Sequence, residues 1–450
     1  MASRHTMDLT QGPVMKKLLQ FTVPILLSSL LQQFYSAADT IVVGQFAEKQ
    51  DLAAVGSTGS ITNLLLTLFM GLSIGVNIVT SNLYGSRKQE ELSRCMHNAV
   101  MLAFVAGIAL SGIGFFLARP LLQMMNSPEN VLDRAALYMK ICFIGVPASF
   151  MYNFCAAMLR AHGDTQRPMV ILMITGLVNV ILNLVLVVFC KMGVAGVAVA
   201  TVVSQYLSAA AVLVILFSPH GDFHLRIPKV RFYLPELKKV LAVGLPCGVT
   251  SILNTLFNVF FQANINTFGD TFMAATTAFN SLLSFVYMFF GAFHSATVSF
   301  AGQNFGAVQY GRIRTLLKCS IIGSVACTFA LSLLVTSIPE VLLSLYSDDA
   351  EVIETAVPFL VMQSWGALSC CFGDSASGCL AGIGKTGPST TSAFICTIAT
   401  RLIWLFFIFP LYPTTLMLYV CYPLSYFLNA VVQLILYGKY RKTILLQAAV

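Results

Sequence analysis

Long apolar segments follow one another along this chain, separated by short connections that carry charge, Gly and Pro. About 20 apolar residues in a helix cross the hydrocarbon core of a bilayer. On that measure the pattern predicts twelve transmembrane helices, at residues 17–46, 52–84, 95–118, 136–160, 168–190, 194–218, 239–267, 272–304, 316–338, 355–382, 387–409 and 414–438. Segments 52–84 and 272–304 are longer than a span needs, which predicts tilted helices or helices that run past the membrane. The division between the last two spans rests on Pro410 and Pro413, read as a turn.

The longest connection, residues 218–239, is polar and basic and holds Pro219, Pro228 and Pro235. It predicts a cytoplasmic linker (218–238) between an N-lobe of helices 1–6 (1–217) and a C-lobe of helices 7–12 (239–450). The halves resemble each other at an offset of 221–222 residues. Pro24 falls on Pro246, Gln32 on Asn254 and Gly145 on Gly366. Asn82-Leu-Tyr-Gly85 falls on Asn304-Phe-Gly306, and Leu159–Thr165 on Leu380–Thr386. An even helix count gives both units one orientation. The expected fold is therefore an all-α integral membrane protein of two parallel six-helix repeats, with a pseudo-two-fold axis along the membrane normal. Such repeats place a substrate site at their interface and alternate access by rocking. No connection resembles a selectivity filter, which favours a transporter over a channel.

Composition supports the membrane reading. The chain is 57% hydrophobic and only 10% charged, against about 25% charged in soluble proteins, and its mean hydropathy is +0.81. The net charge of +8 would suit a nucleic-acid partner, but its placement argues otherwise. Most Lys and Arg cluster on one side, among them Lys16, Lys17, Arg87, Lys88, Arg312, Arg314, Lys439 and Arg441. The other side carries Lys49, Arg119, Arg134, Lys140 and Lys191. This asymmetry puts both termini in the cytoplasm and removes nucleic acid as a partner. The N-terminus does not read as a signal peptide, because no cleavage pattern is clear. The twelve Cys form no CxxC pair and no cluster with His, so neither a metal site nor a disulfide framework is expected.

Helix one carries the sharpest chemical signal. Ser28, Gln32, Ser36 and Thr40 recur every four residues, with Ser29, Gln33 and Asp39 beside them, making one polar stripe on an apolar helix. A charge in a membrane helix costs roughly 2.5–3.5 kcal/mol on insertion scales, so Asp39 needs a partner, a wet cavity or a cation. The plainer alternative is an acid near the helix end reaching for the interface. Helix five presents Asn179 and Asn183 on one face, and helix six carries Thr201, Ser204, Gln205 and Ser208. A carboxylate, two amide oxygens and a hydroxyl suit a hard cation such as sodium, and the same carboxylate is able to take a proton instead. Interhelical hydrogen bonding is the alternative role for the two asparagines.

The second half keeps the stripe as Asn254, Asn258, Gln262 and Asn266, but Phe261 stands where the repeat would put an acid. Asp374 lies opposite Asn153 of the first half, and Arg401 opposite Asn179. Asp374 and Arg401 are expected to pair as a salt bridge; alternatively Asp374 serves a substrate or a second cation. His294 is expected to be a packing residue. Gln32, Tyr35, Asn153, Asn254, Asn258 and Asp374 are candidates for the substrate cavity, together with aromatics such as Phe257 that attract organic cations. No acid/base or metal constellation converges, so no enzyme is expected.

These residues carry a resemblance to the multidrug and toxic compound extrusion (MATE) transporters over residues 10–440. It rests on the two repeats, on the helix-one pattern Pro24, Gln32, Tyr35, Asp39 and Gly44, and on the loop LRAHGDTQRPM from Leu159 to Met169. That loop has a second copy, GIGKTGPS, from Gly382. The resemblance implies a bacterial efflux antiporter in the inner membrane, exporting small organic, often cationic, compounds against inward flow of H+ or Na+. No organic cofactor is implied. It is expected to be a monomer, with membrane lipid and its substrates as partners. Asp39, Asn179, Asn183 and Thr201 match the family's N-lobe cation site, which for a sodium-coupled protein is also the metal site. Asn183 stands where some members have an acid, and helix seven lacks the glutamate that some members use. A flippase for lipid-linked precursors and an exporter of an endogenous metabolite are the alternatives.

Overall fold

A computed structural model of the chain describes residues 6–124, 129–218 and 225–447. Residues 219–224 of the expected linker and Arg4, one of the basic N-terminal residues, lie outside the described residues. The described residues are helical throughout, with short turns. They form α1 (Val14–Phe46), α2 (Lys49–Gly85), α3 (Gln89–Met124), α4 (Glu129–Ala161), α5 (Gln166–Asn183), α6 (Gly193–Phe217), α7 (Leu234–Ile265), α8 (Asp270–Gly306), α9 (Tyr310–Ser337), α10 (Pro339–Leu343), α11 (Ala350–Gly382), α12 (Thr386–Ala393), α13 (Thr400–Ile403) and α14 (Thr415–Gln447). Eleven of the described rods are long and apolar enough to cross a membrane. The chain is thus a multi-pass, all-α membrane protein. Each of the twelve expected spans has its rod, the remaining one being α2.

The two segments expected to exceed a span do so: α2 and α8 have 37 residues each, about 55 Å at 1.5 Å per residue, against a hydrocarbon core of about 30 Å. One feature departs from the expected pattern. The eleventh rod, Thr386–Leu411, is not one regular helix. It passes through a π turn at Phe394–Ala399, the single α turn α13 and a second π turn at Trp404–Ile408. Pro410 then ends it in a 3-10 turn, Phe409–Leu411, before α14 begins. A π turn also follows α5, at Leu184–Phe189.

The repeat is visible in backbone detail. After α2, the amides of Ser86, Arg87 and Lys88 donate to Asn82, Tyr84 and Leu83. After α8, those of Ala307, Val308 and Gln309 donate to Gln303, Phe305 and Asn304. Arg87 and Val308 both turn with positive φ, at 56° and 60°. After α4, Gly163 and Asp164 donate to Arg160 and Leu159; after α11, Gly384 and Lys385 donate to Ala381 and Leu380. Gly163 and Gly384 hold φ of 90° and 75°, a region glycine enters without steric cost.

The chain divides into two compact units. Unit 1 is Met1–Asp8 with Leu27–Gly248, and unit 2 is Leu9–Leu26 with Val249–Val450. The first part of α1 therefore belongs to unit 2 and the first part of α7 to unit 1. Both divisions fall just after the repeated helix prolines, Pro24 and Pro246, which remove a backbone donor and weaken the helix locally. Within unit 1, the core runs through Met96, Phe143, Phe150 and Phe154. There α2 meets the start of α7 through glycine: a Cβ on Gly71 would lie 2.2 Å from the Gly248 nitrogen. Small residues that let backbones approach are how membrane helices gain van der Waals contact. Within unit 2, the core is built on Phe257, Phe261, Phe279, Phe359 and Tyr419. Arg312 also donates to the carbonyls of Leu9, Gln11 and Gly12, tying the segment before α1 to α9.

Candidate functional site

Asp39 sits two turns from the end of α1, and its carboxylate turns inward within unit 1. Its Oδ1 accepts from Nδ2 of Asn183, and its Oδ2 accepts from the Thr201 hydroxyl at 3.2 Å. Asn183 Nδ2 also donates to Asn179 Oδ1 at 3.3 Å, and Asn179 Nδ2 reaches Thr201 at 3.5 Å. Three helices, α1, α5 and α6, thus supply one closed polar cluster. The i, i+4 spacing of the two asparagines stacks their amides on one face of α5. The π turn starts directly after Asn183, and such turns recur at functional sites.

Asn183 is fully buried and Asn179 is nearly so. Among the described residues, Asn183 Oδ1 has no hydrogen-bond partner. A buried amide oxygen left in this way, beside a carboxylate, a second amide oxygen and a hydroxyl, is a hard-oxygen donor set. As drawn, the Asn183 amide nitrogen faces the carboxylate. Turning that amide over would present its oxygen instead, and the assignment of amide orientation follows the hydrogen-bond network.

The cluster opens into a cavity of about 370 Å³ within unit 1. Gln32, Tyr35 and Ser36 of α1 line it, with Tyr138, Cys142 and Ser149 of α4, Thr175 and Asn179 of α5, and Thr201, Ser204, Gln205 and Ser208 of α6. Tyr35 donates to the Met173 carbonyl at 3.2 Å, and Ser208 to Thr175 at 2.7 Å. The structure therefore brings Gln32, Tyr35, Asp39, Asn179, Asn183 and Thr201 together. Tyr138 and Cys142 were not singled out in the sequence, although their spacing with Ser149 marks one face of α4.

The other candidates lie elsewhere. Asn153 is half-buried and spends its amide on the Ser149 carbonyl at 2.8 Å. Asn254 does likewise with Thr250 at 3.2 Å, and Asn258 is exposed. Both belong to unit 2, as does Asp374. The expected salt bridge between Asp374 and Arg401 is not formed. The Arg401 guanidinium instead stacks 4.1 Å from the Tyr422 ring centroid and 4.8 Å from that of Tyr426, while its Nε donates to Ser425 at 2.8 Å. Aromatic faces attract a desolvated cation, and they take the place the carboxylate was expected to fill. His294 donates from Nδ1 to the Asp374 backbone carbonyl at 3.0 Å, a packing contact. Phe261, at the repeat position of Asp39, is buried against Phe257, Tyr419 and Tyr422. The acid of unit 1 is thus replaced by an aromatic cluster in unit 2.

A duplicated bundle of membrane helices with one carboxylate–amide–hydroxyl cluster facing a cavity defines a multi-pass membrane protein of the transporter class. The sequence model of the MatE family matches it twice, over residues 24–185 and 246–407. The chain belongs to the MatE family. It is 27% identical over 372 residues to the probable multidrug resistance protein YoeA of Bacillus subtilis, covering 81% of this chain and 80% of that one. It is 28% identical over 313 residues to the probable multidrug resistance protein YpnP of the same organism, covering 68% of each. Among solved structures, an outward-facing multidrug resistance MATE family transporter has the same fold, with a TM-score of 0.90 at 19% identity, over 97% of this chain and 98% of that one.

Proposed function

We propose that the protein is a secondary active exporter of small organic, often cationic, compounds, driven by inward flow of H+ or Na+ through the Asp39 cluster. It works in the plasma membrane of a bacterium, as a monomer with both termini in the cytoplasm. One observation carries this reading. Asp39 stands in a membrane helix with its carboxylate held by Asn183 and Thr201 at the wall of a cavity. An acid placed so, at the cost membranes exact for it, is retained for ion or proton movement. The names of the relatives, multidrug resistance proteins, agree with export of organic compounds.

The donor set works for either ion. Sodium would be held by Asp39, Asn179, Asn183 and Thr201, with the Asn183 amide turned to present its oxygen. A proton would arrive on Oδ2, because the Thr201 hydroxyl facing it is able to reverse from donor to acceptor. Oδ1 faces an amide nitrogen, which only donates; a proton there would need the whole Asn183 amide to turn over, whereas the hydroxyl needs only to rotate. Either ion neutralises Asp39 and so changes which packing of α1 is favoured. Coupling follows when ion and substrate differ in affinity for the two packings.

The test is transport in liposomes loaded with a fluorescent cationic dye, under a proton gradient and a sodium gradient applied separately. One gradient is expected to drive dye in the wild type, and Asp39→Asn to slow it by at least about tenfold, equivalent to 1.4 kcal/mol. Equal rates in wild type and Asp39→Asn would remove Asp39 from the coupling. Dye movement under neither gradient would defeat the cationic-substrate assignment.

A further inference from the structure

Arg401 is a charge that the proposed function does not use. It is only 5% exposed, inside a membrane-spanning rod, on a single α turn flanked by two π turns. Nε bonds Ser425, and the rings of Tyr422, Tyr426 and Phe257 stand over the guanidinium at 4.1, 4.8 and 5.7 Å from their centroids. Among the described residues it forms no ion pair, and its Nη2 is buried without a hydrogen-bond partner. Asp374 of α11, the partner expected from the sequence, interacts with His294 instead.

The geometry leaves a specific deficit. Guanidinium is planar, always charged, and carries five N–H donors that lie in its plane. Rings attract the cation through its faces. They do not accept from the in-plane donors, which ask for oxygen at the edge; Ser425 serves Nε, the Tyr426 hydroxyl serves another donor, and Nη2 is left over. A stacked arginine with open edge donors is the arrangement that receives a planar anion side-on, with the stack intact. Next to it, the hydroxyls of Tyr426 and Tyr287 lie 3.5 Å apart. Both tyrosines are half-buried.

We propose that the in-plane donors of Arg401, within the cage of Tyr422, Tyr426 and Phe257, bind an anionic oxygen group, a carboxylate or phosphate, carried by an organic molecule. As a substrate contact this rests on the export reading; as a binding site it does not. The anion belongs either to a soluble solute or to a lipid headgroup, which share this chemistry.

The test is equilibrium binding, with no gradient, so it is decided independently of coupling at Asp39. Full-length protein in lipid-free nonionic detergent is melted with benzoate, inorganic phosphate or chloride at matched ionic strength. Benzoate or phosphate is expected to raise the wild-type Tm saturably, and chloride is not. Arg401→Lys is expected to need at least about tenfold more anion, since an ammonium presents no planar fork, and Arg401→Gln to show no shift. A second arm compares nanodiscs with and without phosphatidylglycerol. An Arg401-dependent shift there alone assigns the site to a headgroup. No saturable shift with any probe, or the same shift in wild type and Arg401→Gln, overturns the proposal. Should Arg401→Gln not fold, equal anion affinity in Arg401→Lys and wild type overturns it.

Discussion

At the scale of single residues, the Thr201 hydroxyl serves either way of neutralising Asp39. Thr201→Val keeps the shape but removes the hydroxyl from Oδ2, and losing a partner of a buried polar group costs about 1–3 kcal/mol. Thr201→Ser keeps the hydroxyl. In the liposome assay, Thr201→Val is expected to slow gradient-driven efflux by roughly tenfold or more, on that cost, and Thr201→Ser to stay close to wild type. Equal loss in both would show that the methyl group, not the hydroxyl, matters. The residues of this cluster were legible in the sequence because each follows helical spacing on its own segment: Asp39 on a four-residue stripe, Asn179 and Asn183 one turn apart. The partners of Arg401 were not legible. Tyr422 and Tyr426 sit on the following rod, and nothing in local spacing says that rings rather than Asp374 will reach the guanidinium.

At the scale of elements, the repeat supplies its own controls. Gly163 and Gly384 end equivalent helices with the same sign of φ, yet their surroundings differ. A Cβ on Gly163 would lie 2.0 Å from the Met7 carbonyl oxygen, whereas one on Gly384 meets nothing within 4 Å. Gly384→Ala is expected to cost only the left-handed backbone term, about 1–2 kcal/mol. Gly163→Ala adds displacement of the Met7 backbone and is expected to lower the Tm at least twice as far. Val308 offers the opposite change. It is exposed and holds a φ of 60°, which is unfavourable for a β-branched side chain. Val308→Gly is therefore expected to raise the Tm, with a gain of about 1 kcal/mol; an unchanged or lower Tm would mean the added chain entropy outweighs the strain. The rods themselves were plain in the hydropathy pattern, and Pro410 and Pro413 marked the last division. The π turns were not, since a shift from i−4 to i−5 bonding leaves the apolar pattern almost unaltered.

At the scale of the molecule, neither half of the chain contains a whole unit. Unit 1 needs Leu234–Gly248 from beyond the linker, and unit 2 needs Leu9–Leu26 from the chain's beginning. A cut within residues 219–224 is thus expected to give fragments that are each unstable when made alone but recover dye efflux when made together. Stable folding of either fragment alone, read by its resistance to protease, would count against this. Hydropathy could not show the arrangement, because both parts of α1 and both parts of α7 are equally apolar. The same feature bears on ancestry. A half-length forerunner with this architecture would have lacked the opening stretch of its own bundle and could have been complete only as a pair, each copy lending that stretch to the other. Joining two copies end to end would then have turned a loan between molecules into one within a single polypeptide, after which the copies were free to diverge, one keeping an acid at position 39 and the other a phenylalanine at 261.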